Sequence, residues 1–284
     1  RATVSAATAT SLTVTVPAGA TYGPISVLNT AAGNALTGSS NQLFLPTFSG
    51  GKTGVAANDL EAKTDIAANN NPRAVAYGDL DGDGKPDMVI ANYATNNISV
   101  YRFTGTGGII SYAAKNDIST GSATSNPTSA AIADVNGDGK PDLVVTNSAN
   151  STISVFRNTS TTGSISFAAK IDIASAASPQ YVVIKDIDAD GMMDVAIASG
   201  GGLVSVMRNT TTAGSTTIAF ASRTDLSLAG YSPLNVAVGD LDGDGKPDIV
   251  ASNDAAAVIP VFRNTSSMGT ISFAAKVDLN TGAQ

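Results

Sequence analysis

Short apolar runs broken by polar, glycine-rich turns set the rhythm of this chain. Ala74 to Tyr77 and Val236 to Val238 read as strands that run into an acidic segment, and the chain re-emerges as a second apolar run, Met88 to Ala91 or Leu143 to Val145. Two such runs around a turn predict a hairpin. A third stretch alternates apolar and polar positions: Ile98 to Arg102, Ile153 to Arg157, Leu203 to Arg208 and Val258 to Arg263. It ends in Asn-Thr-rich turns in three of its four copies. The unit closes with Ile110 to Ile118, Ile165 to Ile173, Ile218 to Leu226 and Ile271 to Leu279, and Leu60 to Ile66 is a weaker extra copy of that closing strand. The pattern predicts an all-β chain.

The repeat is most exact at the acidic segment, whose first aspartate falls at 79, 134, 186 and 240, intervals of 55, 52 and 54 residues. A period of about 54 residues with about four strands suits one blade of a β-propeller. Residues 51–284 are therefore expected to form four blades, and residues 1–50 a separate small β module with strands at Thr3 to Ala6, Ser11 to Val16, Ile25 to Asn29 and Leu43 to Phe48.

The acidic segment has the form Asp-x-Asp-x-Asp-Gly-x-x-Asp. Positions 1, 3, 5 and 9 are Asp79, Asp81, Asp83 and Asp87; Asp134, Asn136, Asp138 and Asp142; Asp186, Asp188, Asp190 and Asp194; and Asp240, Asp242, Asp244 and Asp248. The carbonyl at position 7, from Lys85, Lys140, Met192 or Lys246, can turn inward to join them. Convergent hard oxygens suit Ca²⁺, whereas Mg²⁺ keeps its waters and seldom occupies an all-protein cage. Gly at position 6 permits the positive φ that wraps such a loop around an ion. About four Ca²⁺, one per loop, are expected. Any single Asp-Gly loop would pass as a hairpin turn; four copies that keep their donors, with Asn136 the sole replacement, point to metal. The third loop departs most, with Ala189 for Gly and Met192-Met193 for Lys-Pro. An EF-hand is excluded, because position 12 is Ile90, Val145, Ile197 or Ala251 rather than Glu and the flanks are β-like.

Charge and composition narrow the function. The 284 residues carry a net charge of −7, and fifteen of the 23 acids lie in the four loops, so four Ca²⁺ would bring the formal charge to +1. Without metal each cluster repels itself, so folding and ion binding should be linked. Few, scattered Lys and Arg exclude nucleic acid as a partner. The chain has neither Cys nor His, which removes disulfides, thiolate zinc sites and the Ser-His and Cys-His nucleophile pairs. Outside the loops, Asp65, Asp117, Asp172, Asp225 and Asp278 each follow a Lys or Arg by two residues, a pattern read as solvated pairing between blades. No carboxylate pair is then left for glycoside chemistry, and no enzyme is expected. Asn97, Asn150, Asn158, Asn209 and Asn264 lie in Asn-x-Ser/Thr sequons that read as turn asparagines, with surface glycosylation as the alternative. No apolar stretch approaches the ~20 residues of a membrane span. The opening on Arg1 without a leader is what a processed product or an excerpt would present.

These loops, in this strand context, resemble the FG-GAP/VCBS repeats, whose members are calcium-stabilised β-propellers related to the integrin α-subunit head. The resemblance covers about residues 51–284 and implies a calcium ion in each blade's hairpin loop, held at the positions just named. It also implies adhesion or surface display rather than catalysis. Such propellers usually have seven blades, and this chain carries four. Residues 7–20 and Gly23 to Val27 look like the C-terminal half of an IPT/TIG immunoglobulin-like domain. The leading expectation is a calcium-stabilised structural or adhesion module at a microbial cell surface, binding protein or glycan ligands outside the cell. Two alternatives are a subunit of an extracellular filament, built from copies of the chain by head-to-tail strand complementation, and a polysaccharide-binding lectin. For the lectin the absence of Trp and the 5% aromatic content leave no evident platform.

Overall fold

The structure is a computed structural model. It describes the backbone of strands 3–7, 12–15, 23–29 and 36–44, and residues 63–121, 124–254 and 257–282. The chain divides into two compact units, Arg1–Lys63 and Thr64–Gln284.

In the first unit, β1 (Thr3–Ala7) pairs antiparallel with β2 (Leu12–Thr15), and β3 (Gly23–Asn29) with β4 (Leu36–Phe44). They form two separate two-stranded sheets. The strand expected at Leu43 to Phe48 instead starts at Leu36, and residues 45–50 lie outside the described residues. Nothing in these hairpins supports the immunoglobulin-like reading, much of which rests on residues outside the described ones.

The second unit contains four antiparallel sheets of four strands each, in sequence order, and its fold is of the β-propeller type. Blade 1 is β5 (Pro72–Gly78), β6 (Asp87–Asn92), β7 (Asn97–Tyr101) and β8 (Asn116–Ser119). Blade 2 is β9 (Pro127–Ala133), β10 (Asp142–Asn147), β11 (Thr152–Phe156) and β12 (Ile171–Ala174). Blade 3 is β13 (Pro179–Lys185), β14 (Asp194–Ser199), β15 (Leu203–Met207) and β16 (Thr224–Ser227). Blade 4 is β17 (Val236–Gly239), β18 (Asp248–Ala251), β19 (Val258–Phe262) and β20 (Val277–Asn280). There is no α-helix among the described residues.

The second strand of each blade explains the continuous apolar runs. β6, β10 and β14 are buried at every residue, because each has a strand on either side and a neighbouring blade over at least one face. A strand covered on both faces has no need of a polar alternate. Pro72, Pro127 and Pro179 open the first strands of blades 1 to 3 beside a register shift, where a residue without an N–H costs the ladder least.

The hydrophobic core lies between blades. Leu80, Val89, Ile98 and Val100 of blade 1 pack against Ala130, Leu143, Val145 and Phe156 of blade 2. Val135, Val144 and Val155 meet Val182, Ile197 and Met207 in the same way, and Ile187, Val204 and Val206 meet Val236, Ile249 and Phe262. Each blade thus has a face toward its predecessor and a face toward its successor.

Two expectations are corrected. The closing strand is shorter than its sequence match: only the last residues enter the sheet, while Tyr112, Phe167, Phe220 and Phe273 each form an isolated bridge to the turn after the third strand. Those rings turn toward core clusters, which pulls the segment before the strand out of the sheet. The extra copy at Leu60 to Ile66 is not a strand from residue 63 onward, and residues 60–62 lie outside the described residues. Ile66 packs against the Met88, Ile90 and Tyr101 cluster, and the Tyr101 hydroxyl donates to the Ala67 carbonyl at 2.6 Å.

The Lys/Asp pattern also has a different basis. Lys115, Lys170 and Lys276 pair with Asp117, Asp172 and Asp278 within their own strands, and Arg223 with Asp225 at 2.9 Å. Ser99, Ser154 and Ser205, directly opposite on the third strands, donate to the first two of these aspartates and to Asp225 at 2.6 Å. The carboxylate therefore ties two strands of one blade together. Only Arg223 reaches another blade, donating to the Ser175 carbonyl at 2.9 Å.

Candidate metal centres

Each acidic loop bridges the first two strands of its blade and is organised by its own backbone. The position-1 carboxylate caps the turn: Asp79 accepts from the N–H of Gly84 at 2.8 Å, and Asp134, Asp186 and Asp240 accept from Gly139, Gly191 and Gly245 at 2.7, 3.0 and 2.9 Å. Those position-6 glycines have φ of +84°, +85°, +89° and +85°, a conformation L side chains avoid. Position 3 accepts from the N–H of position 5 in every loop, at 3.1 Å for Asp81, 3.3 Å for Asn136, 3.2 Å for Asp188 and 3.1 Å for Asp242.

Position 9 serves a second purpose. One oxygen of Asp87, Asp142, Asp194 and Asp248 accepts from the N–H of loop position 2, at 2.9 to 3.0 Å. The other accepts from a backbone N–H just past the third strand: Phe103 at 2.8 Å, Asn158 and Asn209 at 2.7 Å, and Asn264 at 2.8 Å. This carboxylate pins the loop to its blade, and each oxygen keeps a lone pair for a cation. Burial pushes Asp142 and Asp194 up to about 6, against the opposing pull of these backbone donors. Asp87 is raised for the same reason.

Positions 1, 3 and 9 converge. Asp79, Asp81 and Asp87, then Asp186, Asp188 and Asp194, then Asp240, Asp242 and Asp248 each offer carboxylate oxygens within 4.8 Å of one another. In the second loop Asn136 stands between Asp134 and Asp142, and its amide oxygen takes the place of the carboxylate. Position 5 does not join these tight groups. Asp83, Asp138, Asp190 and Asp244 accept from the N–H of Lys85, Lys140, Met192 and Lys246 at 2.9 to 3.0 Å. Asp190 also meets Arg208 at 3.3 Å, and Asp244 lies 3.8 Å from Arg263.

In the third loop two buried oxygens, Asp186 Oδ1 and Asp188 Oδ2, have no hydrogen-bond partner, and Asp188 is only 2% exposed. Its pKa is raised by burial and by the neighbouring Asp190 charge. A buried carboxylate oxygen without a donor is costly unless a cation meets it, so the donor set fits a hard cation such as Ca²⁺. Ala189 sits here at φ +59°, where the other loops carry Gly82, Gly137 and Gly243 at +71°, +68° and +80°.

The residues that sequence reasoning undervalued are the asparagines after the third strands. Asn158, Asn209 and Asn264 are each 1% exposed. The amide of each donates twice: to its own loop, at the carbonyls of Pro141 (2.7 Å), Met193 (2.9 Å) and Pro247 (2.9 Å), and to the preceding blade's loop, at the carbonyls of Leu80 (2.9 Å), Val135 (2.7 Å) and Ile187 (2.9 Å). Buried and fully engaged, they are not surface glycosylation sites in the folded chain. The signal was the Arg-Asn-Thr run shared by three blades and broken at Phe103 in the first.

Four-stranded blades stacked face to face, each with an aspartate-rich loop in its first hairpin, define a β-propeller-type repeat protein. The FG-GAP-like repeat matches residues 79–145, 134–197 and 186–251, each span running from one acidic loop into the next blade, and the chain belongs to that family. No curated protein matches it. Among solved structures, the crystal structure of BBS1N in complex with ARL6DN, soaked with mercury, is 17% identical over 75% of this chain and 57% of that chain, with a TM-score of 0.48. The lead-soaked crystal structure of the same complex is 13% identical over 70% of each chain, with a TM-score of 0.36.

Proposed function

We propose that this protein is a non-enzymatic, calcium-stabilised blade array that serves as a structural or adhesion module at a cell surface, presenting its faces to protein or glycan ligands. The observation that carries the calcium reading is the third loop, where Asp186 and Asp188 hold buried carboxylate oxygens that nothing in the protein satisfies. Asp79, Asp81 and Asp87, and Asp240, Asp242 and Asp248, form the same convergent group, and the second loop presents Asp134, Asn136 and Asp142. The ion would supply charge neutralisation and loop rigidity, and the backbone N–H groups already hold the carboxylates close together. An ion at ~100 times its dissociation constant adds about 2.7 kcal/mol per site, provided it does not bind the unfolded chain. The extracellular placement draws on the millimolar calcium such modules use.

The test is thermal unfolding of one preparation in millimolar calcium, in magnesium and in excess chelator, with calorimetric titration of calcium into the chelated protein. Calcium should raise the melting temperature and bind with a stoichiometry near four, and magnesium should do much less. An unchanged melt with no binding heat would reduce the loops to turns. A second reading, a filament of head-to-tail copies, draws on the open faces at the two ends of the array, where Tyr77 is 60% and Leu241 59% exposed. Phe103 tells against it, since the first blade brings no asparagine to the joint.

A further inference from the structure

The three blade interfaces are one contact made three times, and a fourth face has the same shape with nothing on it. At loop position 2, Leu80, Val135 and Ile187 are 1%, 0% and 1% exposed because the next blade covers them, whereas Leu241 of blade 4 is 59% exposed. In the closing strand, Leu226 of blade 3 is 9% exposed and its counterpart Leu279 is 53% exposed. The carbonyls of Leu80, Val135 and Ile187 each accept the amide of the next blade's asparagine. Among the described residues, nothing donates to the Leu241 carbonyl.

What fits this face follows from the three joints already made. The partner must bring an apolar second strand, as Leu143, Ile197 and Ile249 do, and an Asn amide aimed at a position-2 carbonyl. The first blade of a second copy lacks that amide. Phe103 occupies the position, its ring edge-on to Tyr112 at 5.3 Å, and part of that side of blade 1 is covered by Ile66 and Ala67.

We propose that the open face of blade 4, centred on Leu241 and Leu279, is a docking surface for a further blade of the asparagine type, one whose third strand ends in Arg-Asn-Thr. It does not accept the first blade of another copy. The two faces at the ends of the array are therefore not complementary to each other, and the array extends in one direction only. The inference rests on blade packing and holds whether or not the loops bind calcium.

The test extends the full chain with a copy of residues Pro179 to Ser227 joined directly after Gln284. Residues 281–284 then supply the same four-residue linker that residues 175–178 supply between β12 and β13. Hydrogen exchange is followed in the added blade and in the peptides around Leu241 and Leu279, together with sedimentation of the unextended chain. The added blade should be protected, exchange around Leu279 should slow about tenfold or more, and the unextended chain should sediment as a monomer. Replacing the asparagine of the added blade by Phe, or Leu241→Asp in the parent, should each remove most of that protection. An added blade that stays unprotected overturns the proposal, as does one equally protected in both variants. Self-association of the unextended chain that buries Leu241 overturns it too.

Discussion

Asn209→Ala isolates the joint between blades 2 and 3. Its amide donates to the Val135 carbonyl of blade 2 at 2.7 Å and the Met193 carbonyl of blade 3 at 2.9 Å, and its oxygen accepts from the Thr211 N–H at 2.9 Å. With the residue 1% exposed, water cannot take over these partners without opening the interface. Each buried backbone group left unsatisfied costs ~1–3 kcal/mol. Three such groups, eased by partial relaxation, give an expected loss of about 3–5 kcal/mol, a large share of the ~5–15 kcal/mol that a folded domain commands. The assay is urea unfolding in calcium, followed by circular dichroism, with Thr210→Ala as the control. Thr210 is the exposed next residue, and its removal should cost less than about 0.5 kcal/mol. A loss below about 1 kcal/mol for Asn209→Ala, or one equal to the control, would refute the latch.

Three further outcomes are expected. Ala189→Gly should stabilise the protein by about 1 kcal/mol, read as a higher urea midpoint, because Ala189 is held at φ +59° where glycine carries no Cβ penalty. In chelator, Asp142 and Asp194 have folded pKa values of about 6, above the ordinary 3.8. Their contribution to stability is therefore greatest below about pH 4 and is lost as pH rises through about 6. The metal-free protein should thus melt higher at pH 5 than at pH 7, and saturating calcium, which needs the ionised carboxylates, should reverse that order. Calcium should bind most weakly at the fourth loop, whose Asp240 and Asp242 are exposed and interact through water rather than protein; Asp240→Asn should delete the weakest step of a calorimetric titration, and loss of a tight step would contradict this.

Much of the blade was legible because strand periodicity, Gly placement and the acidic spacing are local properties. The hairpin from Ala74 to Ala91 could be read from apolar runs around one loop, and the repeat fixed the number of sheets. The closing strand was overdrawn for the opposite reason. The apolar character of Phe167 or Phe220 serves a core cluster it shares with residues from the adjoining blade, a demand from outside the strand that sequence alternation does not reveal. The same limit hid the asparagines. Asn158 looked like a turn residue and is one, accepting the Ser160 N–H at 2.7 Å, but its amide is spent 78 residues away on Leu80.

Loop and interface are not separable in this fold, and position 3 shows why. Asp81 belongs to the first convergent group and also accepts the N–H of Gly163 from blade 2 at 3.0 Å. Asn136 faces the second loop while its amide donates to the Ser215 carbonyl of blade 3 at 2.8 Å and its carbonyl accepts from Gly214 at 2.6 Å. A carboxylate at Asn136 could not make that donation, which accounts for the one departure from Asp among the sixteen side-chain donor positions of the four loops. Where a following blade covers position 3, the side chain is buried in all three cases, and where none does, at Asp242, it is exposed. A cation that orders position 3 therefore also orders the surface on which the next blade rests, and stacking a blade removes water from the site the cation would occupy. Both effects favour the same state, so ion binding and blade stacking should each strengthen the other by the same factor.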